Sequence, residues 1–219
     1  AWEQVPMNWR YSSNQERLDR EILNMITNDS QFILTYKRLA LYLPYIQKQL
    51  DKYDIPMDFQ YLPMIESYLR NSAVSAAWAA WIWQFMPATA KKYWLIVDDF
   101  VDQRFDYQKS TDAAVQYLQD LYSIFQDWTL VAAAYNRWEY WLLVDMQSQN
   151  QSWYYDLYLN NETYRFVFRL LAMKYLMENK DQYFNPTLLW SQYTSQETKI
   201  FSVQEIQDLK LRAAEKDHT

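Results

Sequence analysis

Thr129-Leu-Val-Ala-Ala-Ala-Tyr135-Asn136 is nearly all apolar and predicts a central, buried helix. The sequence on both sides is helical too. Ser110 reads as an N-cap with Asp112 in the first turn, and Val115, Leu118, Leu121, Tyr122 and Phe125 form the buried face that follows. Downstream, Glu162 to Asn179 carries Phe166, Leu170, Met173 and Leu176 at helical spacing. Upstream, Glu16 to Thr27 repeats the pattern with Leu18, Ile22, Leu23 and Ile26. Ser30 is expected to cap a segment with the stripe Phe32, Ile33, Tyr36, Leu39 and Leu43. Pro44 is expected to open a separate helix to Tyr53, and Pro56 to start the element that runs to about Tyr68. Trp94 to Tyr107 is irregular and acidic and reads as a loop with short turns. No alternating strand pattern of useful length occurs, so the predicted class is all-α.

Composition removes several kinds of chemistry. The chain has 219 residues, no cysteine, and one histidine, His218, next to its C-terminus. Thiolate nucleophiles, zinc–thiolate sites, histidine triads and histidine-ligated metals are therefore not expected, and neither is a metal or cofactor of any kind. A net charge of −6 without a basic run disfavours nucleic acid and anionic lipid as partners. No run of about 18 apolar residues predicts a membrane span. Ala1 to Arg10 lacks a basic region followed by an apolar one, so no signal peptide is expected within this sequence. Aromatic residues make up 19 %, including 20 Tyr and 11 Trp. Core packing accounts for most of them, while some of the same rings are suited to stacking on sugars.

The remaining chemistry falls to carboxylates, hydroxyls and amides, and three segments concentrate it. They are Tyr61-Leu-Pro-Met-Ile-Glu66-Ser67, the block from Ala73 through Trp78, Trp81, Gln84 and Met86 to Ala90, and Ala132-Ala-Ala-Tyr135-Asn136 with Glu139 beyond. Leu62, Ile65 and Leu69 form an apolar stripe beside Glu66. Partial desolvation and a nearby helix C-terminus both raise a carboxyl pKa, and a raised Glu can protonate a glycosidic oxygen near neutral pH. On helix position alone, a solvated Glu on an amphipathic helix is the simpler reading.

Taken together, the three segments resemble the catalytic domain of lytic transglycosylases of the goose-lysozyme type, close to the membrane-bound D type. The resemblance rests on Glu66-Ser67, then Ile82-Trp-Gln84-Phe-Met86-Pro87-Ala-Thr89, then Ala134-Tyr135-Asn136, in matching order and spacing. Asp102-Gln-Arg-Phe-Asp106, Lys109-Ser-Thr-Asp-Ala-Ala, Asn161-Glu-Thr and Ala172-Met-Lys-Tyr extend it over roughly Ile55 to Tyr183.

The resemblance implies a lysozyme-like fold preceded by N-terminal helices. It implies non-hydrolytic cleavage of the β-1,4 bond between N-acetylmuramic acid and N-acetylglucosamine in peptidoglycan, with a 1,6-anhydro product. Glu66 would be the acid and base. Ser67, Ser75, Gln84 and Met86 would meet the sugar, Tyr135 would sit beside Glu66 and orient it within the substrate site, and Asn136 would hold the motif or the substrate. Ser75, Tyr135 and Asn136 also have purely structural readings, as does Glu139. A hydrolytic lysozyme and a catalytically impaired peptidoglycan-binding domain are the alternatives. The resemblance also implies a monomer in the cell envelope, with any membrane anchor in a segment not present here.

The implied organisation is an N-terminal helical extension over residues 1–54 and a catalytic domain over 55–185. A tail over 186–219 follows, where periodicity weakens after Phe184-Asn185-Pro186. Ile200–Val203 and the helix from Gln204 faintly resemble the start of a LysM-like module, although a plain C-terminal helix fits as well.

The chain departs from the family in one conspicuous way, for it contains no glycine, where average usage predicts roughly 15. Trp78, Trp81, Trp94 and Trp138 stand where the family has glycine, and a further family glycine falls near Tyr140 or Trp141. Indoles at Trp78 and Trp81 are expected to crowd the cleft that Gln84 lines. Two origins are open: a gene that reads UGA as glycine but was translated with UGA as Trp, or a sequence free of glycine in its own right. Phe166 and Phe168 stand where the family often has Tyr and Pro.

Overall fold

The computed structural model describes residues 3–70, 73–75, 78–189 and 192–193. Among them the elements are helical, with three isolated β-bridges and no strand. The long helices are α1 (Ser13–Thr27), α2 (Asp29–Lys52), α5 (Tyr107–Phe125), α6 (Trp128–Arg137), α7 (Glu139–Gln149) and α8 (Asn161–Glu178). Between them lie α3 (Leu62–Ser67) and α4 (Pro87–Lys92), and α9 (Lys180–Tyr183) and α10 (Pro186–Leu189) follow. The expected strand-like piece Ile200–Val203 and the helix from Gln204 lie outside the described residues. No described helix is long and apolar enough to cross a membrane.

The centre is α6. Every residue from Thr129 to Tyr135 is buried, as the apolar run requires. Asp127 caps it, accepting from the Thr129 and Leu130 amides at 2.8 and 2.9 Å. Helices α5, α7 and α8 pack around α6, and α1 lies along α8. The N-terminal segment is pinned to this core by Glu3, whose carboxylate accepts from the Thr129 and Tyr155 hydroxyls.

Three expected boundaries move. Ser30 is not an N-cap but lies inside α2, which begins at Asp29. Pro44 does not open a new helix but sits inside the continuous α2. Proline removes the bond to the carbonyl four residues back, here that of Ala40. Ala40 and Pro44 are both exposed, so water can satisfy that carbonyl, while Leu39, Ile46 and Leu50 keep one buried stripe across the proline. Ser110 is not the N-cap of α5 either. Asp106 is, accepting from the Gln108 and Lys109 amides at 3.0 and 3.1 Å, and Ser110 lies buried in the first turn. The Trp94–Tyr107 stretch is a loop with one short 3-10 turn, Gln103–Phe105, in line with its irregular sequence.

Candidate active site

Helix α3 is six residues long, and Pro63 sits in its first turn. It ends abruptly because Tyr68 and Leu69 are both left-handed, with φ of 55° and 54°. Glu66 is the penultimate helical residue and is half-buried, while Leu62, Met64, Ile65 and Leu69 are buried around it. Removal from water pushes its carboxyl up to about 7. The Arg169 guanidinium on α8 pulls in the opposite direction, and the Glu162 carboxylate on the same helix pushes further up. Arg169 and Glu162 are seven residues apart, two turns on one face of α8.

Ser67 is almost completely buried. Its hydroxyl lies 3.1 Å from the carbonyls of both Pro63 and Ile82, so it ties α3 to the loop that carries Gln84. Ser75 is exposed and closes a turn: its Oγ accepts from the Ala79 amide at 3.0 Å, and its own amide donates to the Ala79 carbonyl at 2.8 Å. Gln84 is half-buried at φ 50°, and its Nε2 donates to the carbonyls of Trp81 at 2.7 Å and Ala73 at 3.3 Å. Met86 is half-buried and is the extended N-cap residue of α4.

Tyr135 donates its hydroxyl to the Trp83 carbonyl at 2.8 Å and feels the charge of Glu66, so α6 braces the Gln84 loop beside the carboxyl. Burial holds its phenol well above the usual range, hence protonated and donating. Asn136 joins α6 to α8. Its Oδ1 accepts from Thr163 at 2.9 Å, and its Nδ2 donates to Glu162 at 3.3 Å. Glu139 is engaged structurally, accepting from Tyr117 at 3.2 Å and facing Lys92 at 3.5 Å.

Sequence reasoning missed Arg104, which organises the loop. It is 6 % exposed and donates to the carbonyls of Trp78 and Phe85 at 2.6 and 2.9 Å while pairing with Asp102. Its signal was a single cation inside the acidic Asp98–Asp106 stretch. Arg169 and Glu162 were also missed as neighbours of Glu66, because only tertiary packing brings α8 to α3.

The four tryptophans that the resemblance sets at glycine positions all occupy left-handed backbone: φ is 66° at Trp78, 60° at Trp81, 65° at Trp94 and 71° at Trp138. A side chain at such a φ is strained, and glycine is not. The Trp81 indole is buried and meets Tyr42 edge-on at 6.0 Å. Trp78 is 71 % exposed.

Residues 44–143 match the family described as Transglycosylase SLT domain. The chain is 31 % identical over 173 residues to the membrane-bound lytic murein transglycosylase D of Escherichia coli (strain K12), covering 77 % of this chain and 38 % of that protein. It is also 35 % identical over 100 residues to a putative tributyltin chloride resistance protein of Alteromonas sp. (strain M-1), covering 45 % of this chain and 48 % of the relative. The chain thus spans less than half the length of these relatives.

Proposed function

Because the chain belongs to the SLT family of lytic transglycosylases, we propose that it cleaves the glycan strands of peptidoglycan by lytic transglycosylation, with Glu66 as acid and base. The observation that carries this reading is the Glu66 carboxyl, half-buried at the end of α3 with its pKa raised to about 7. Near neutral pH such a group is divided between acid and carboxylate, as a residue that must both give and take a proton requires.

In the proposed reaction, protonated Glu66 donates to the glycosidic oxygen as the C1–O bond of the muramyl sugar breaks. The departing N-acetylglucosamine leaves with that proton. The Glu66 carboxylate then removes the proton of the muramyl 6-hydroxyl, whose oxygen closes on C1. The ring-closed 1,6-anhydro sugar forms, and Glu66 is protonated again. No water is consumed. One carboxylate suffices when the substrate's N-acetyl group stabilises the cation. In keeping with this, Glu139 is already occupied by Tyr117 and Lys92, and Glu162 is held by Asn136.

In this reading the residues behind Glu66 form a frame. Ser67 and Tyr135 fix the Gln84 loop, Asn136 fixes Glu162, and Gln84 and Met86 line the sugar side. Residues 1–54 brace the catalytic part, 55–185, and 186–219 form a tail. The relatives' lytic murein transglycosylase name and its membrane-bound qualifier support murein as substrate and the cell envelope as the place of action. Mass spectrometry of purified sacculi digested with the protein tests the proposal. Anhydro products, one water lighter than hydrolytic ones, are expected, whereas reducing ends would make the protein a hydrolase.

A further inference from the structure

A cavity of about 270 Å³ opens between α1, α2 and α8, with Ile65 and Tyr68 from the end of α3 in its wall. Its polar lining is rich in donors. Gln31 Nε2 is buried there without a hydrogen-bond partner, alone in this among the described side-chain atoms. A buried donor left unpaired carries a desolvation cost that a ligand's acceptor returns. Asn24 and Asn28 add amides to the same wall. Arg169 also lines the cavity and forms no ion pair among the described residues. Its guanidinium meets the Ile65 carbonyl at 3.5 Å and the Phe166 ring at 5.5 Å, and its charge acts on Glu66.

A second cavity of about 150 Å³ shares Glu21 and Arg165 with the first. Those two residues form a two-bond pair at 2.5 and 3.0 Å. Arg17 and Arg20 extend the lining. Arg20 pairs with Glu16 at 2.8 Å, but Arg17 lies only against aromatic rings, 3.9 Å from the centre of Tyr164. In a chain of net charge −6, this groove holds four arginines against two glutamates. It suits a ligand that bears carboxylates and amide carbonyls.

We propose that the α1–α8 groove binds the carboxylate-bearing peptide attached to the murein glycan, an inference that rests on murein being the substrate. Arg169 lines the groove and its charge also acts on Glu66, so the groove lies on the side of α8 that faces the proposed catalytic carboxyl. A peptide carried on a bound strand arrives tethered, which raises its effective concentration at the groove. The protein would then favour glycan that still bears peptides over stripped glycan.

The test compares kcat/KM on peptide-bearing murein and on the same murein stripped by an amidase, for the wild type and for Asn24→Leu and Gln31→Leu. Wild-type kcat/KM is expected to be about tenfold higher on the peptide-bearing strands. Each variant should lose roughly three- to tenfold on those strands only, as loss of one or two hydrogen bonds implies. Unchanged activity on stripped strands certifies the fold. Equal wild-type kcat/KM on both substrates overturns the proposal, as does an equal loss on both in the variants. In parallel, the amidase-released peptide is titrated against the wild type by NMR. A shift of the Gln31 side-chain amide supports the groove even if neither murein is cleaved, an outcome that removes the transglycosylase reading alone. Absence of that shift at millimolar peptide overturns the groove.

Discussion

Replacing Trp94 with glycine should stabilise this protein. Trp94 follows α4 at φ 65° and is 87 % exposed. Its amide donates to the Lys91 carbonyl at 3.1 Å, and the Leu95 amide reaches back to Ala90 at 3.0 Å. This is the paired-bond helix ending in which the left-handed residue is normally glycine. A side chain in that conformation costs about 1–2 kcal/mol. Glycine returns that cost but loses about 0.4–1 kcal/mol through its freer unfolded chain. With so little of the indole buried, the net gain for Trp94→Gly is about 0.5–1 kcal/mol, or roughly 2–3 °C in Tm for a domain of this size. Trp94→Ala is the control: it removes the indole but keeps the β-carbon, so its Tm should stay level or fall. Calorimetry of the three proteins decides. If alanine raises Tm as much as glycine, the indole and not the backbone is the cause, and the strain argument fails.

Other outcomes follow from the same structure. If Glu66 must be protonated to start the reaction, kcat/KM falls as pH rises through about 7. Arg169→Leu should move that fall to higher pH and Glu162→Gln to lower pH, because these groups respectively lower and raise the Glu66 pKa. Stability carries the same sign: between about 4.5 and 7 the folded state keeps a proton that the unfolded state has lost, so wild-type stability declines with rising pH. Glu66→Gln should therefore match the wild type near pH 4 and exceed it by about 2–3 kcal/mol at pH 8 in urea titrations. Arg104→Ala removes donors from the Trp78 and Phe85 carbonyls and strands Asp102, and should cost about 3 kcal/mol by the same assay. Sequencing the gene separates the two origins of the tryptophans, because TGG codons at 78, 81, 94 and 138 exclude a misread glycine codon.

The helical plan was legible wherever burial is continuous. Thr129–Tyr135 and Glu162–Asn179 show it, because a helix surrounded by others must be apolar on the faces it buries. The proline inside α2 was not legible, since whether Pro44 breaks a helix depends on where the Ala40 carbonyl points. Local signals also compete: Ser110 and Asp106 are both good caps, and the structure uses the one further upstream. At the candidate site, the motif order singles out Glu66, Gln84 and Tyr135. Hydroxyl direction lies beyond sequence, however, and Ser67 turns inward onto two carbonyls. Arg169 and Glu162 come from a helix about 100 residues away, and no local pattern pairs them with Glu66. The absent glycines were a compositional oddity until the backbone placed all four tryptophans at left-handed φ.

Product analysis on purified murein sacculi, wild type against Glu66→Gln, decides whether Glu66 drives lytic cleavage. The wild type should release 1,6-anhydro muropeptides and a folded Glu66→Gln protein none. Undiminished release of anhydro products by Glu66→Gln would contradict that role.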